Sequence, residues 1–190
     1  MAGEAKRIVL LGAPGSGKGT QAELLADALG IPAVSTGEML RAAVSAGSEL
    51  GSRVENIMNA GDLVDDATMA DVIRQRLSQD DATGGFLLDG YPRTLAQAGT
   101  LASILDAAQK SLDVVNQVEV PEQELVRRAL GRQRVDDTEA VITNRLGVYA
   151  ESTAPLVDHY RGHGLLLTID GDQSIEEVAA AILDSLGVMA

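Results

Sequence analysis

A run of glycines closed by a lysine, "GAPGSGKGTQ" at positions 12–21, constrains this chain more than any other feature. It follows the apolar run "RIVLL" (7–11) directly and leads into "QAELLADALG" (21–30), a good helical sequence. A strand, a glycine loop and a helix in that order form the setting in which the pattern G-x-x-x-x-G-K-[ST] holds phosphate. Glycines let backbone N–H groups converge on phosphate oxygens, the helix N-terminus adds its positive dipole end, and the lysine supplies a point charge. Gly19 stands where the pattern expects a hydroxyl, and Thr20 is displaced by one residue. With no hydroxyl beside Lys18, a bound Mg2+ must rely on water and on a carboxylate elsewhere. Asp89, which ends the run "FLLD" (86–89), is the candidate.

The rest of the chain repeats the alternation that the loop requires. Short β-branched or leucine-rich runs, "AVS" (33–35), "FLLD" (86–89), "DVVNQVEV" (113–120) and "LLLTID" (165–170), are separated by helical patterns. With "RIVLL" they predict an α/β fold: a five-stranded parallel sheet with right-handed crossovers, flanked by helices on both faces. Ser followed three residues later by Glu, in "STGE" (35–38) and "SIEE" (174–177), predicts a capping box at two helix starts. A third helix is expected from "PEQELVRRAL", which opens on Pro121 and two acids. The stretch between the second and third strands, broken by "AGSELG" (46–51) and "AGDLVDD" (60–66), is long for one crossover and predicts a small helical insertion. Asn116 and Gln117 are polar in a strand that is ordinarily apolar, so they are expected to find hydrogen bonds or to face a polar edge.

Composition narrows the partners. At 190 residues with 45% apolar content the chain fits one compact domain, residues 1–190. Fifteen Lys and Arg against twenty-eight Asp and Glu give a net charge of −13. That is the wrong sign for coating nucleic acid or an anionic membrane, and four aromatic residues are too few for a base-stacking platform. A small-molecule partner is favoured. The absence of cysteine excludes a disulfide framework and a thiolate zinc site. No stretch approaches the roughly 18 apolar residues of a spanning helix, and "MAGEAK" has no apolar signal core, so a cytoplasmic protein is expected.

The motifs "GAPGSGKGTQ", "STGEMLR", "GFLLDGYPRT", "GRQRVDD" and "TAPLVDHY" together resemble the adenylate kinase family, over nearly the whole chain. The resemblance implies a P-loop NTPase-type fold with a nucleoside-monophosphate-binding (NMP) insertion at 35–64 and a lid. It also implies reversible phosphoryl transfer, MgATP + AMP giving two ADP, hence a role in adenine nucleotide homeostasis and salvage. By the same resemblance Gly15, Ser16, Gly17, Lys18, Gly19 and Thr20 hold the ATP phosphates, and Gln173 in "IDGDQS" lies in the loop whose backbone meets the ATP base. Thr36 and Arg41 touch AMP; Asp62, Leu63 and Val64 line its pocket; Gly90, Tyr91, Pro92 and Arg93 border it, with Arg93 on the phosphate and Tyr91 in the pocket wall. Gln97 reads the adenine edge. Arg132 belongs to ATP, Arg134 and Arg145 to AMP and the transferred phosphoryl group, and Arg128 to the same cluster.

Elementary electrostatics points the same way. Two nucleotides meeting phosphate to phosphate concentrate negative charge, and loose phosphoryl transfer is stabilised chiefly by cations and positioning. Lys18, Arg41, Arg93, Arg128, Arg132, Arg134 and Arg145, seven of the fifteen basic residues, are expected to converge on one cleft. The segment 131–137 is a short lid, where long-lid relatives insert a small domain, and without cysteine it has no structural zinc. Asp136 and Asp137 are secondary candidates, and His159 and His163 are expected at the surface. A monomer is expected. Three alternatives remain at this point: a UMP/CMP kinase with the same architecture; a P-loop nucleotide switch, against which the absence of an N-K-x-D motif counts; and a degenerate nucleotide-binding regulatory module, against which the presence of every expected phosphate-contacting cation counts.

Overall fold

The computed structural model describes residues 6–131 and 138–187. At its centre is β1 (Arg7–Leu11), flanked by β3 (Phe86–Asp89) and β4 (Val114–Glu119), with β2 (Ala33–Ser35) and β5 (Leu166–Asp170) outermost. The order is β2-β3-β1-β4-β5 and every pairing is parallel; Ile8, for example, stands opposite Leu87 on one side and Val114 on the other. Successive side chains of a strand point to opposite faces, and the core divides accordingly. Val9, Leu11, Leu88 and Val115 pack on one face, while Ile8, Leu10, Leu87 and Val118 pack on the other. A central strand buried on both sides has to be apolar throughout, which is why "IVLL" carries no alternation.

The helices are α1 (Lys18–Leu29), α2 (Thr36–Ser45), α3 (Glu49–Ala60), α4 (Asp66–Leu77), α5 (Leu95–Ala107), α6 (Glu122–Gly131), α7 (Glu139–Val148), α8 (Pro155–Gly162) and α9 (Ile175–Ser185). The long crossover between β2 and β3 thus holds α2, α3 and α4. The break "AGSELG" is a tight helix-to-helix turn. Ser48 caps α3 by accepting from the Gly51 N–H, and its Oγ donates to the Ala43 carbonyl at 3.0 Å. A Cβ at Gly51 would lie 2.1 Å from the Ala43 oxygen, so only glycine allows α2 and α3 to pack this closely.

One predicted capping box forms and the other does not. In "SIEE" Ser174 Oγ accepts from the Glu177 N–H while the Glu177 side chain returns to the Ser174 N–H. In "STGE" Ser35 stands at the N-cap of α2 but caps nothing; its hydroxyl donates instead to Asp89 Oδ2 at 3.4 Å. A carboxylate on the neighbouring strand competes successfully for that hydroxyl. Asn116 is fully buried beneath α9, where its Oδ1 takes a bond from Ser185 Oγ at 3.2 Å while its Nδ2 is buried without a hydrogen-bond partner, and Gln117 donates to Glu119 at 2.9 Å, so hydrogen bonds accommodate Gln117 and only half of the Asn116 amide. Among the described residues no helix is long and apolar enough to cross a membrane.

Candidate active site

Ligands of open parallel sheets bind outside the carboxyl ends of the strands. Here a cavity of about 580 Å³ opens at the ends of β1 and β3, walled by the glycine loop, the start of α2, residues 61–64, Asp89, Gly90, Pro92 and Arg93, and the 171–175 loop. The loop carries the backbone geometry that its glycines predict. Gly15 and Gly17 have φ of +94° and +92°, and Gly17 is the left-handed N-cap of α1. A Cβ at Gly15 would lie 2.4 Å from the Leu125 carbonyl oxygen, so the loop and α6 meet backbone to side-chain-free backbone. Ser16 is buried in the loop, and Lys18 Nζ donates to the Ala13 carbonyl at 3.0 Å and to Ser16 Oγ at 3.3 Å, which brings the ammonium back over the loop. Gly19 and Thr20 line the same wall.

Asp89 faces the first turn of α1: a Cβ on Gly19 would stand 3.9 Å from its Oδ2. A methyl group at position 19 would thus meet the carboxylate in ordinary van der Waals contact. Asp89 and the Ser35 hydroxyl offer hard oxygen ligands of the kind Mg2+ takes while keeping several waters. Among the described residues no group of three or more His, Cys, Asp or Glu could cage a metal. A single carboxylate suits an ion carried on substrate phosphates.

Three guanidinium groups, those of Arg41, Arg93 and Arg145, line the same cavity as the loop. Gly90, with φ of +81°, is pressed between two of the predicted residues: a Cβ there would be 2.8 Å from Thr36 Oγ1 and 3.1 Å from Arg93 Nη2. Thr36 donates to the Gly90 carbonyl at 3.0 Å, and Arg93 Nε donates to the same oxygen at 2.8 Å. Arg41 folds over Gly37, and the Arg145 stem packs on Gly61. Burial lowers the pKa of Arg93; Asp89 opposes this, while the nearby charges of Arg145 and Arg41 add to it. Partly desolvated cations that repel one another are relieved by an anion placed between them, which makes this wall suited to phosphate.

The remaining predicted residues are placed as follows. Leu63, Val64 and Pro92 line the cavity, as does Asp62, which accepts a bond from Asn144 of α7 at 2.9 Å. Gln97 lines it with its amide held between Asp66 and the Arg93 N–H. Gln173 lines it from the 171–175 loop and donates to Asp170 at 3.0 Å. Arg128 lines it too, although its charge is met by Glu124 at 2.5 Å and Asp172 at 3.2 Å. Tyr91 is a correction. Its ring lies in the core, 1% exposed, and its hydroxyl donates to the Gln97 carbonyl at 3.2 Å, so it does not form the pocket wall. Burial, with a smaller contribution from Asp66, pushes its hydroxyl up to about 12. Arg132, Arg134, Asp136 and Asp137 lie outside the described residues. His163 is exposed and His159 half-buried on α8, away from the cavity.

Three further contributors were not foreseen. Arg127 lines the cavity rim and shares the Glu124 carboxylate with Arg128, and the two guanidinium groups hold that acid down to about 2. The spacing Glu124-Arg127-Arg128 on one helix face was the available signal. Thr153 is buried and donates to the Arg93 carbonyl at 2.9 Å, and Asp66 holds Gln97. These two contacts join segments distant in sequence and leave no local pattern.

The sheet order, the loop after its central strand and the arginines lining the same cavity define a P-loop nucleoside monophosphate kinase. The family model described as adenylate kinase matches residues 10–165. Proteins named adenylate kinase from Mycobacterium sp. (strain MCS), Thermobifida fusca and Corynebacterium urealyticum are 50%, 50% and 49% identical to this chain. Each alignment covers 95% of the chain and 97–99% of the relative. The chain belongs to the adenylate kinase family.

Proposed function

We propose that the chain transfers the γ-phosphoryl group of MgATP directly to AMP, with ATP on the glycine loop and AMP against Thr36, Arg41, Arg93 and Arg145. The observation that supports this most is that Lys18 and the three arginines line one cavity large enough for small-molecule ligands. An AMP phosphate oxygen is already ionised at neutral pH, so it attacks the γ-phosphorus in line and needs neither a protein nucleophile nor a general base. The work left to the protein is positioning and charge stabilisation. Lys18 and the loop N–H groups orient the donor, Arg93 and Arg41 hold the acceptor phosphate, and Arg145 meets charge on the transferred group. Mg2+ supplies neutralisation of the phosphate oxygens when bound, and Asp89 would hold it through water. The insertion 35–64 closes over the pair and excludes water, which otherwise competes with AMP as acceptor; the expected lid lies, from residue 132 to 137, outside the described residues.

Coupled measurement of ADP formation from ATP with AMP, CMP, UMP and GMP in turn, with and without Mg2+, tests this reading. AMP is expected to be the preferred acceptor and activity to require Mg2+. Preference for UMP or CMP would assign the acceptor pocket to a pyrimidine.

A further inference from the structure

Asp66 is the first residue of α4 and touches the cavity only through another side chain. Its Oδ1 accepts from Gln97 Nε2 at 2.8 Å and from Thr94 Oγ1 at 3.1 Å. On the opposite side of the same amide, the Arg93 N–H donates to Gln97 Oε1 at 2.7 Å. Gln97 is 2% exposed and stands in the cavity wall beside Arg93. Thr94 completes the arrangement: it caps α5 by accepting from the Gln97 N–H at 3.1 Å while its hydroxyl secures the carboxylate.

Both neighbours of the amide are one-way groups. A carboxylate only accepts and a backbone N–H only donates. Turning the amide over would set Oε1 against the carboxylate and Nε2 against the Arg93 N–H. In a buried position two such contacts are costly, since each leaves polar groups unpaired. The orientation of this amide therefore follows from its partners.

We propose that Asp66 is a positioning residue that makes the acceptor pocket select a 6-aminopurine over a 6-oxopurine, by fixing which side of the Gln97 amide donates and which accepts. The inference rests on the reading that AMP occupies this side of the cavity. A carboxamide free to rotate is ambivalent, because one half-turn exchanges its donor and acceptor. It can then pair with an adenine edge, a ring-nitrogen acceptor beside an amino donor, or with the reversed order of a 6-oxopurine. Held by Asp66 and Arg93, the amide retains one N–H and one carbonyl lone pair in a fixed order. That order pairs with the adenine edge and sets donor against donor and acceptor against acceptor for the 6-oxo edge. Asp66 itself makes no bond to substrate.

The test compares steady-state kinetics with AMP and with IMP, which differ in the order of donor and acceptor on this edge. Wild type is expected to prefer AMP in kcat/KM. Asp66→Ala should lower that preference about tenfold, equivalent to about 1.4 kcal/mol. The change should lie in the KM values for AMP and IMP, with kcat at saturating AMP and the KM for ATP within about twofold of wild type. Asp66→Asn, which keeps a carbonyl acceptor, should retain most of the preference. Asp66→Ser, which keeps a helix-start residue and shortens the side chain, gives the same reading if the alanine variant does not fold. An unchanged AMP preference in the folded Ala or Ser variant overturns the inference, as does an equal loss for AMP, IMP and ATP, which marks a merely structural role. A wild type with no preference between AMP and IMP overturns instead the acceptor reading on which the inference rests.

Discussion

Arg93 is the residue on which the proposed acceptor side rests most. Its Nε is fixed to the Gly90 carbonyl, its own carbonyl is held by Thr153, and its charge lies among those of Asp89, Arg145 and Arg41. Replacing it with alanine removes a half-buried cation from the wall proposed to hold the acceptor phosphate, and losing one preorganised charge-stabilising donor of this kind costs about 10²–10³ in kcat. Arg93→Ala is thus expected to lose at least that factor in ADP formation while keeping its fold and its affinity for ATP. Near-normal transfer would contradict the placement of the acceptor phosphate. At this scale the phosphate loop was legible because each residue type answers a local need: φ above zero at Gly15 and Gly17, a lysine at the helix start. Tyr91 was misread because the motif "DGYPRT" marks a turn but does not say which side chain faces inward. Asp66 and Thr153 were invisible for a related reason, since their partners lie 28 or more positions away.

Among the elements, strands were the most legible, because the apolar runs that a two-sided parallel sheet demands are contiguous in sequence. Helix starts were less so. The same Ser-x-x-Glu spacing forms a full capping box at Ser174 and none at Ser35, where Asp89 of a neighbouring strand takes the hydroxyl. Capping is a local rule that one tertiary acceptor can override. Where it holds, it has a measurable value: Ser174→Ala should lower stability by about 1 kcal/mol, read as a reduced midpoint in urea at unchanged slope. Because the segment 171–175 leads directly into α9 through Ser174, the same variant tests how firmly that wall is held; no loss of stability would show that the box contributes nothing in the folded chain.

For the molecule as a whole, the charge balance predicts a response to acid. Glu124 is held down to about 2 by its hydrogen bonds to Arg127 and Arg128, and Asp65, Asp81, Asp170 and Glu177 are lowered chiefly by hydrogen bonds. A carboxylate whose pKa is depressed on folding contributes stability that is complete above its unfolded value, and that is lost as pH falls toward the folded one, because the unfolded chain binds protons first. The thermal midpoint should therefore hold near neutrality and decline as pH drops from about 4.5 towards 2. In Glu124→Gln the decline should be shallower; an identical pH profile would remove Glu124 from the acid response. An acidic chain that gathers cations at one cavity suits the one chemical event proposed for it, direct transfer between two bound nucleotides. The most direct measurement of that claim is ATP consumption with and without AMP, with ADP and inorganic phosphate quantified together. Direct transfer predicts two ADP for each ATP consumed, negligible phosphate, and little consumption without AMP. Equal consumption in both conditions, with phosphate released, would contradict it.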